Sequence, residues 1–210
     1  ARVEDTRAAA ESFRKDMLAG PKVKYYESFD LVRVPYPTRY GLRNAFPRER
    51  VVEFLHLQNR LFVVQFETTE GLKTLLMSPS DHERNGETPY FRRLQDTTPE
   101  IMQRVFVLRQ DTVPDIIARI GLRPEDIDYI SYDHLHTQDV RRWLGTRHQP
   151  GVFPNAKLLV HEREWASALD LNPYQADWYC PNGIADIPAD RIVRFEGDIM
   201  LGEGVALIHT

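Results

Sequence analysis

The pattern of apolar and polar positions changes character partway along the chain. Between Val23 and Met77 apolar residues recur with a period of two or in β-branched and aromatic runs, predicting strands over Val23 to Val34, Val51 to Leu57, Leu61 to Glu67 and Lys73 to Met77. The last two flank Thr68-Thr69-Glu70-Gly71, where the glycine can take the positive φ of a tight hairpin, so the block reads as antiparallel sheet. Beyond it the spacing turns helical over Pro89 to Leu94 and Pro99 to Val105. A capped helix follows over Thr112 to Ile120. Thr112 and Asp115 form a capping-box pair, and Gly121 stands where a helix-ending glycine belongs.

The second half alternates strand and helix. Short apolar runs at Ile127 to Tyr132, Lys157 to Val160, Ile192 to Phe195 and Val205 to His209 read as strands, with a helix over Glu162 to Leu169 between the second and third. Such alternation after an antiparallel block predicts an α/β layered domain with helices on sheet faces. Ahead of it, Thr6 to Ala19 forms a helix with Phe13, Met17 and Leu18 on one side and Gly20-Pro21 as its stop. Residues 1–21 are therefore expected to be a helical arm suited to docking, and residues 22–210 the main domain.

Composition narrows the class. With 210 residues, 42% of them hydrophobic and 28% charged, the chain can bury one sizeable core. A net charge of −4 removes the electrostatic reason to expect a nucleic-acid partner. Cys180 is the sole cysteine, which excludes an intrachain disulfide and a cysteine-based zinc cluster and fits a cytoplasmic location. No apolar run approaches the roughly 20 residues of a membrane helix, and the N-terminal stretch is too charged for a signal peptide. No membrane partner is expected.

Candidate chemistry gathers after the strand Ile127 to Tyr132, in Asp133-His134-Leu135-His136-Thr137-Gln138-Asp139. Histidines at i and i+2 of an extended backbone project to the same side, so both imidazoles can reach one ion, and Asp133 or Asp139 can add a ligand or orient a ring. Spacing alone leaves a hydrogen-bonded surface role equally open. Other conspicuous residues carry less. His161 reads as a helix cap, His56 as an outward strand position and His148 as part of a polar loop. Asp81 and His82 read as exposed loop residues, or as lying near the site. Arg141, Arg142 and Trp143 read as a first helical turn with its charges in solvent, or as contacts to an anionic substrate. Trp178-Tyr179-Cys180-Pro181-Asn182-Gly183 can wall a pocket or simply pack, and Cys180 lacks the basic neighbours that activate a thiol.

The stretch from Gly121 through Pro124-Glu125-Asp126-Ile127-Asp128 to His134-Leu135-His136 resembles the metallo-β-lactamase-like superfamily, whose helix, turn and short strand lead into H-x-H-x-D-H. Phe153 to Val160 with its Glu-rich helix, and Gly204 to Thr210, are similar to later segments of that family in the same order. The resemblance implies a four-layer αβ/βα sandwich, incomplete at the C-terminus, and hydrolysis of a small ester, lactone, thioester or amide by metal-activated water. It implies His134 and His136 as ligands, with Asp139, in place of a family histidine, as a further ligand or a water-orienting catalytic group. Zinc is the expected ion, with iron and manganese as alternatives. Two positions depart from the motif, Gln138 standing at the family's aspartate and Asp139 at its third histidine. A neutral carboxamide is a poor divalent ligand and no base, so one ion or none is expected. A relative that has lost turnover and serves binding or assembly is the alternative. Family members place further ligands beyond the position matching Thr210, so another chain or a later segment is expected to complete the domain around its small-molecule substrate.

Overall fold

The computed structural model describes residues 2–38, 54–101, 103 and 107–209. Its sheet begins with an antiparallel meander of β1 (Tyr25–Pro37), β2 (Phe54–Thr68) and β3 (Gly71–Met77). The β2–β3 turn closes as the sequence predicts, with Gly71 at φ +102°, and the Thr68 hydroxyl accepts from the Glu70 amide and donates to the Gly71 carbonyl. The two strands read from Val51 to Leu57 and Leu61 to Glu67 are one long strand over their described part, residues 51–53 lying outside the described residues. Of the helix read over Pro99 to Val105, residues 100, 101 and 103 are helical, and the Gln103 amide donates to the Pro99 carbonyl at 3.1 Å; residues 102, 104 and 105 lie outside the described residues.

After β3 the chain crosses through α2 (His82–Asn85) and α3 (Pro89–Thr97), adds the short β4 (Leu108–Arg109) beside β1, and enters α4 (Val113–Arg119). The Thr112 Oγ1 accepts from the Asp115 amide and donates to its carboxylate, and Gly121 takes φ +79° just past the helix end. Then come β5 (Tyr129–Ser131), α5 (Arg141–Leu144), β6 (Lys157–His161), α6 (Glu162–Leu169), α7 (Pro173–Ala176), β7 (Ile192–Phe195) and the hairpin β8 (Ile199–Gly202) with β9 (Val205–Leu207).

Strands β5, β6 and β7 extend the first sheet in parallel, giving the order β4-β1-β2-β3-β5-β6-β7 among the described residues. The reason lies in their composition. β5 and β6 carry apolar residues on both faces, as parallel strands covered from both sides must, whereas the edge strand β7 leaves Val193 and Arg194 exposed: Ile130, Leu158 and Val160 join the main core under α4, α5 and α6, while Leu159 joins Phe66 and Leu75 on the opposite face. Each fully buried side chain of this kind contributes about 1.5–3 kcal/mol. The β8–β9 hairpin covers that second face with Leu201, Val205 and Leu207. It lies so close that a Cβ on Gly202 would fall 2.5 Å from the Glu67 carbonyl oxygen.

Helix α1 (Arg2–Ala19) buries none of its residues, and Phe13 and Leu18 are exposed. No helix among the described residues is long and apolar enough to cross a membrane.

Candidate functional site

Strand β5 delivers the histidine loop to the carboxyl edge of the parallel strands, where open α/β sheets bind ligands. The strand end is fixed on both sides. The Ser131 hydroxyl donates to the Leu159 carbonyl (2.9 Å), the Ser78 amide donates to the Ser131 carbonyl (2.7 Å), and the Tyr132 hydroxyl donates to the Pro79 carbonyl (2.8 Å). Leu135 then anchors the loop: its side chain is buried in the core, and its amide donates to Glu164 Oε1 on α6 at 2.7 Å. With Leu135 turned inward, His134 and His136 face outward together, their ring centroids 4.5 Å apart and nearly perpendicular. His136 takes φ +22°, uncommon for a residue with a side chain, and its carbonyl accepts from the Cys180 amide at 3.0 Å. The Tyr179 ring meets His136 edge-on at 5.3 Å.

The electrostatics of the two imidazoles differ. His134 Nδ1 lies 3.0 Å from the Asp133 carboxylate, and this hydrogen bond raises the histidine's pKa and lowers that of the aspartate. Burial lowers the pKa of His136, with the neighbouring His134 acting in the same direction. Burial, then the Glu164 charge, raises that of the Tyr179 hydroxyl.

The next two motif positions are occupied by the chain's own groups. Ser80 Oγ donates to Gln138 Oε1 at 3.0 Å, and Asn59 Nδ2 donates to the same hydroxyl at 3.2 Å. Asp139 is buried, with both carboxylate oxygens on Arg141: Nε to Oδ1 at 2.8 Å and Nη2 to Oδ2 at 2.9 Å. That pairing raises the pKa of Arg141. The turn expected at Arg141 to Trp143 is helical, but its charges are not simply solvated. Arg142 pairs with Asp81 at 3.0 Å, and Trp143 is a core residue stacked on Phe153. Asp81 is correspondingly not an exposed loop residue. Its carboxylate caps α2 by accepting from the Glu83 and Arg84 amides, and its side chain is only 15% exposed. His82 is half-buried, and that burial lowers its pKa. A cavity of about 380 Å³ opens beside these two, lined by residues that include Arg109, Thr112 and Arg142 but none of the three expected metal ligands.

The remaining readings resolve individually. His161 caps α6, its Nδ1 accepting from the Arg163 amide, while His56 and His148 are exposed. The aromatic loop packs: Trp178 stacks on Tyr90 at 4.1 Å, and the Tyr179 ring meets His136 edge-on. The Cys180 thiol is buried and pushed up to about 11, chiefly by that burial, so it is no nucleophile at neutral pH. Glu164 was not singled out from the sequence. Nothing in the helix pattern distinguishes it, and only the pairing of β5 with β6 brings it under the loop.

The described residues bring two imidazoles together without completing a metal-binding group. The Asp133 carboxylate on His134 Nδ1 is the kind of partner that orients a ligating imidazole and leaves Nε2 outward. A third protein ligand, normal for a catalytic zinc, is lacking: no three His, Cys, Asp or Glu side chains converge as a metal-binding group among the described residues. Asp139 does not fit that place while Arg141 holds it.

No family model matches the sequence, and no curated protein does. Solved structures do. A quorum-quenching N-acyl homoserine lactone lactonase superposes with a TM-score of 0.54 at 20% identity, covering 91% of this chain and 65% of its own. A dizinc quorum-quenching lactonase with a bound product gives 0.52 at 15% identity, covering 89% and 64%. A probable metal-dependent hydrolase from Staphylococcus aureus gives 0.50 at 14% identity, covering 86% and 62%. The chain thus spans less than two thirds of the length of each. The likeness establishes the fold: an α/β architecture of the metallo-β-lactamase type, as the sequence resemblance implied.

Proposed function

We propose that this chain forms part of a metal-dependent hydrolase acting on a small ester, lactone, thioester or amide, with His134 and His136 as the ligands it contributes and at most one ion held there, zinc by preference. The observation that carries this reading is the paired imidazoles, 4.5 Å apart at the carboxyl edge of the parallel strands, with Asp133 orienting one of them. Asp139 becomes a ligand or a water-orienting group only if Arg141 releases it, so it is not assigned either role in this state.

The lactonases of the same fold make N-acyl homoserine lactones the first substrates to try, beside a p-nitrophenyl ester and an acyl thioester. Hydrolysis of one of these by the purified full chain, abolished in His134→Ala and in His136→Ala with unchanged circular dichroism, is the expected result. Activity that survives both substitutions would overturn it.

A second reading is favoured by the engagement of Gln138 by Ser80 and of Asp139 by Arg141. It makes the chain a binding or assembly protein on a hydrolase fold, without turnover. Absence of hydrolysis across the panel and of bound metal, with the rest of the domain present, would favour that reading over the first.

A further inference from the structure

We propose that the Arg141 guanidinium acts as a built-in cation that uses up the coordinating oxygens of Asp139, so that a side chain of this protein closes the place a further metal ion would take. The inference rests on His134 and His136 being ligands but not on turnover.

Both Asp139 oxygens are engaged by a planar fork at 2.8 and 2.9 Å, the bidentate geometry that makes charge-assisted pairs strong. The Asp139 side chain is 4% exposed and that of Arg141 26%, so water competes little for the carboxylate. Arg141 is itself positioned from several directions. Its Nη2 reaches the Pro181 carbonyl at 3.4 Å, and its backbone amide, with that of Val140, donates to the Gly183 carbonyl. A divalent ion seeking Asp139 would have to break two short charge-assisted bonds and then sit beside the displaced guanidinium, a like-charge neighbour. Gln138 offers no alternative anion, and its carbonyl oxygen already accepts from Ser80.

Segments 80–85, 136–142 and 180–183 are thereby stapled to one another by side-chain and backbone bonds. Ser80 meets Gln138, Asp81 meets Arg142, and Cys180 and Gly183 meet the backbone of His136 and Val140. The loop is held by this network where a metal cluster could otherwise hold it. Arg141 is thus a positioning residue whose removal should convert a metal-indifferent network into a metal-dependent one.

The test compares wild type, Arg141→Ala, Arg141→Ala with Asp139→Asn, and His134→Ala, each titrated with zinc and read by native mass spectrometry and thermal melting. Arg141→Ala is expected to bind one more ion per chain than wild type and to show a larger zinc-induced rise in Tm, and the added Asp139→Asn should abolish both gains. An equal ion count in wild type and Arg141→Ala, or a gain that survives Asp139→Asn, would overturn the proposal. Loss of the wild-type ion in His134→Ala keeps the ligand reading standing even then, so the two failures are distinguishable. Should Arg141→Ala not fold without metal, Arg141→Met keeps the apolar stem. Soluble yield of either variant restored by zinc in the growth medium supports the proposal, and yield that zinc does not restore refutes it.

Discussion

Gly183→Ala should loosen the histidine loop from a distance. Gly183 is buried with no positive φ, so its backbone suits alanine, but the added Cβ would lie 2.5 Å from the Gln138 carbonyl oxygen and 3.1 Å from Cys180 Cβ. The first of these is backbone and cannot rotate away. Overpacking of this kind destabilises by about 1–3 kcal/mol. Lifting the 180–183 segment would also stretch the bonds from the Val140 amide to the Gly183 carbonyl (2.9 Å) and from the Cys180 amide to the His136 carbonyl (3.0 Å), at about 1 kcal/mol each. A total of about 3–5 kcal/mol corresponds to a Tm lower by about 6–20 °C in a chain of this size. Because His136 loses the contact that holds its backbone, affinity for zinc should fall as well. Gly197→Ala is the control, since Gly197 has φ +61° and open space around it; that change should cost about 1 kcal/mol and leave zinc affinity alone. Thermal melting and zinc titration of both variants check the reasoning. A Gly183→Ala protein within about 0.5 kcal/mol of wild type, with unchanged zinc affinity, would refute it.

Two further outcomes follow from local structure. Thr112→Ala removes both the side-chain cap of α4 and its bond to Asp115, and should lower stability by about 1 kcal/mol in urea unfolding without altering zinc affinity. Native Cys180, with its thiol pushed up to about 11, should alkylate slowly at pH 8, about tenfold faster per pH unit as the thiolate fraction rises toward that value, and readily once unfolded; fast alkylation of the native protein at pH 8 would contradict its burial.

Much of the fold was legible because local signals agreed with tertiary ones. The Thr68 to Gly71 turn, the Thr112 cap and the helix Glu162 to Leu169 appear as read, each governed by chemistry within a few residues of itself. The sheet assignment of β5, β6 and β7 was not legible, since periodicity reports that a strand is apolar on both faces but not which strand it pairs with. The site was less legible. His134 and His136 meet around an inward Leu135, but His136 sits in a turn at φ +22°, so their proximity does not come from the extended backbone that the i, i+2 spacing assumed. The capture of Asp139 by Arg141 was not legible either, even though the two are only two residues apart, because it depends on the tight turn between them and on the 180–183 segment that anchors it. Ser80 on Gln138 spans 58 positions, and no local pattern carries such a contact.

The account turns on how many metal ions the chain can hold. Elemental analysis of the purified full chain, normalised to protein concentration and supported by native mass spectrometry, measures this directly. At most one ion per chain is predicted, lost in both His134→Ala and His136→Ala and unaffected by Asp139→Asn. Two ions per chain at full occupancy, or an ion that departs with Asp139→Asn, would contradict it.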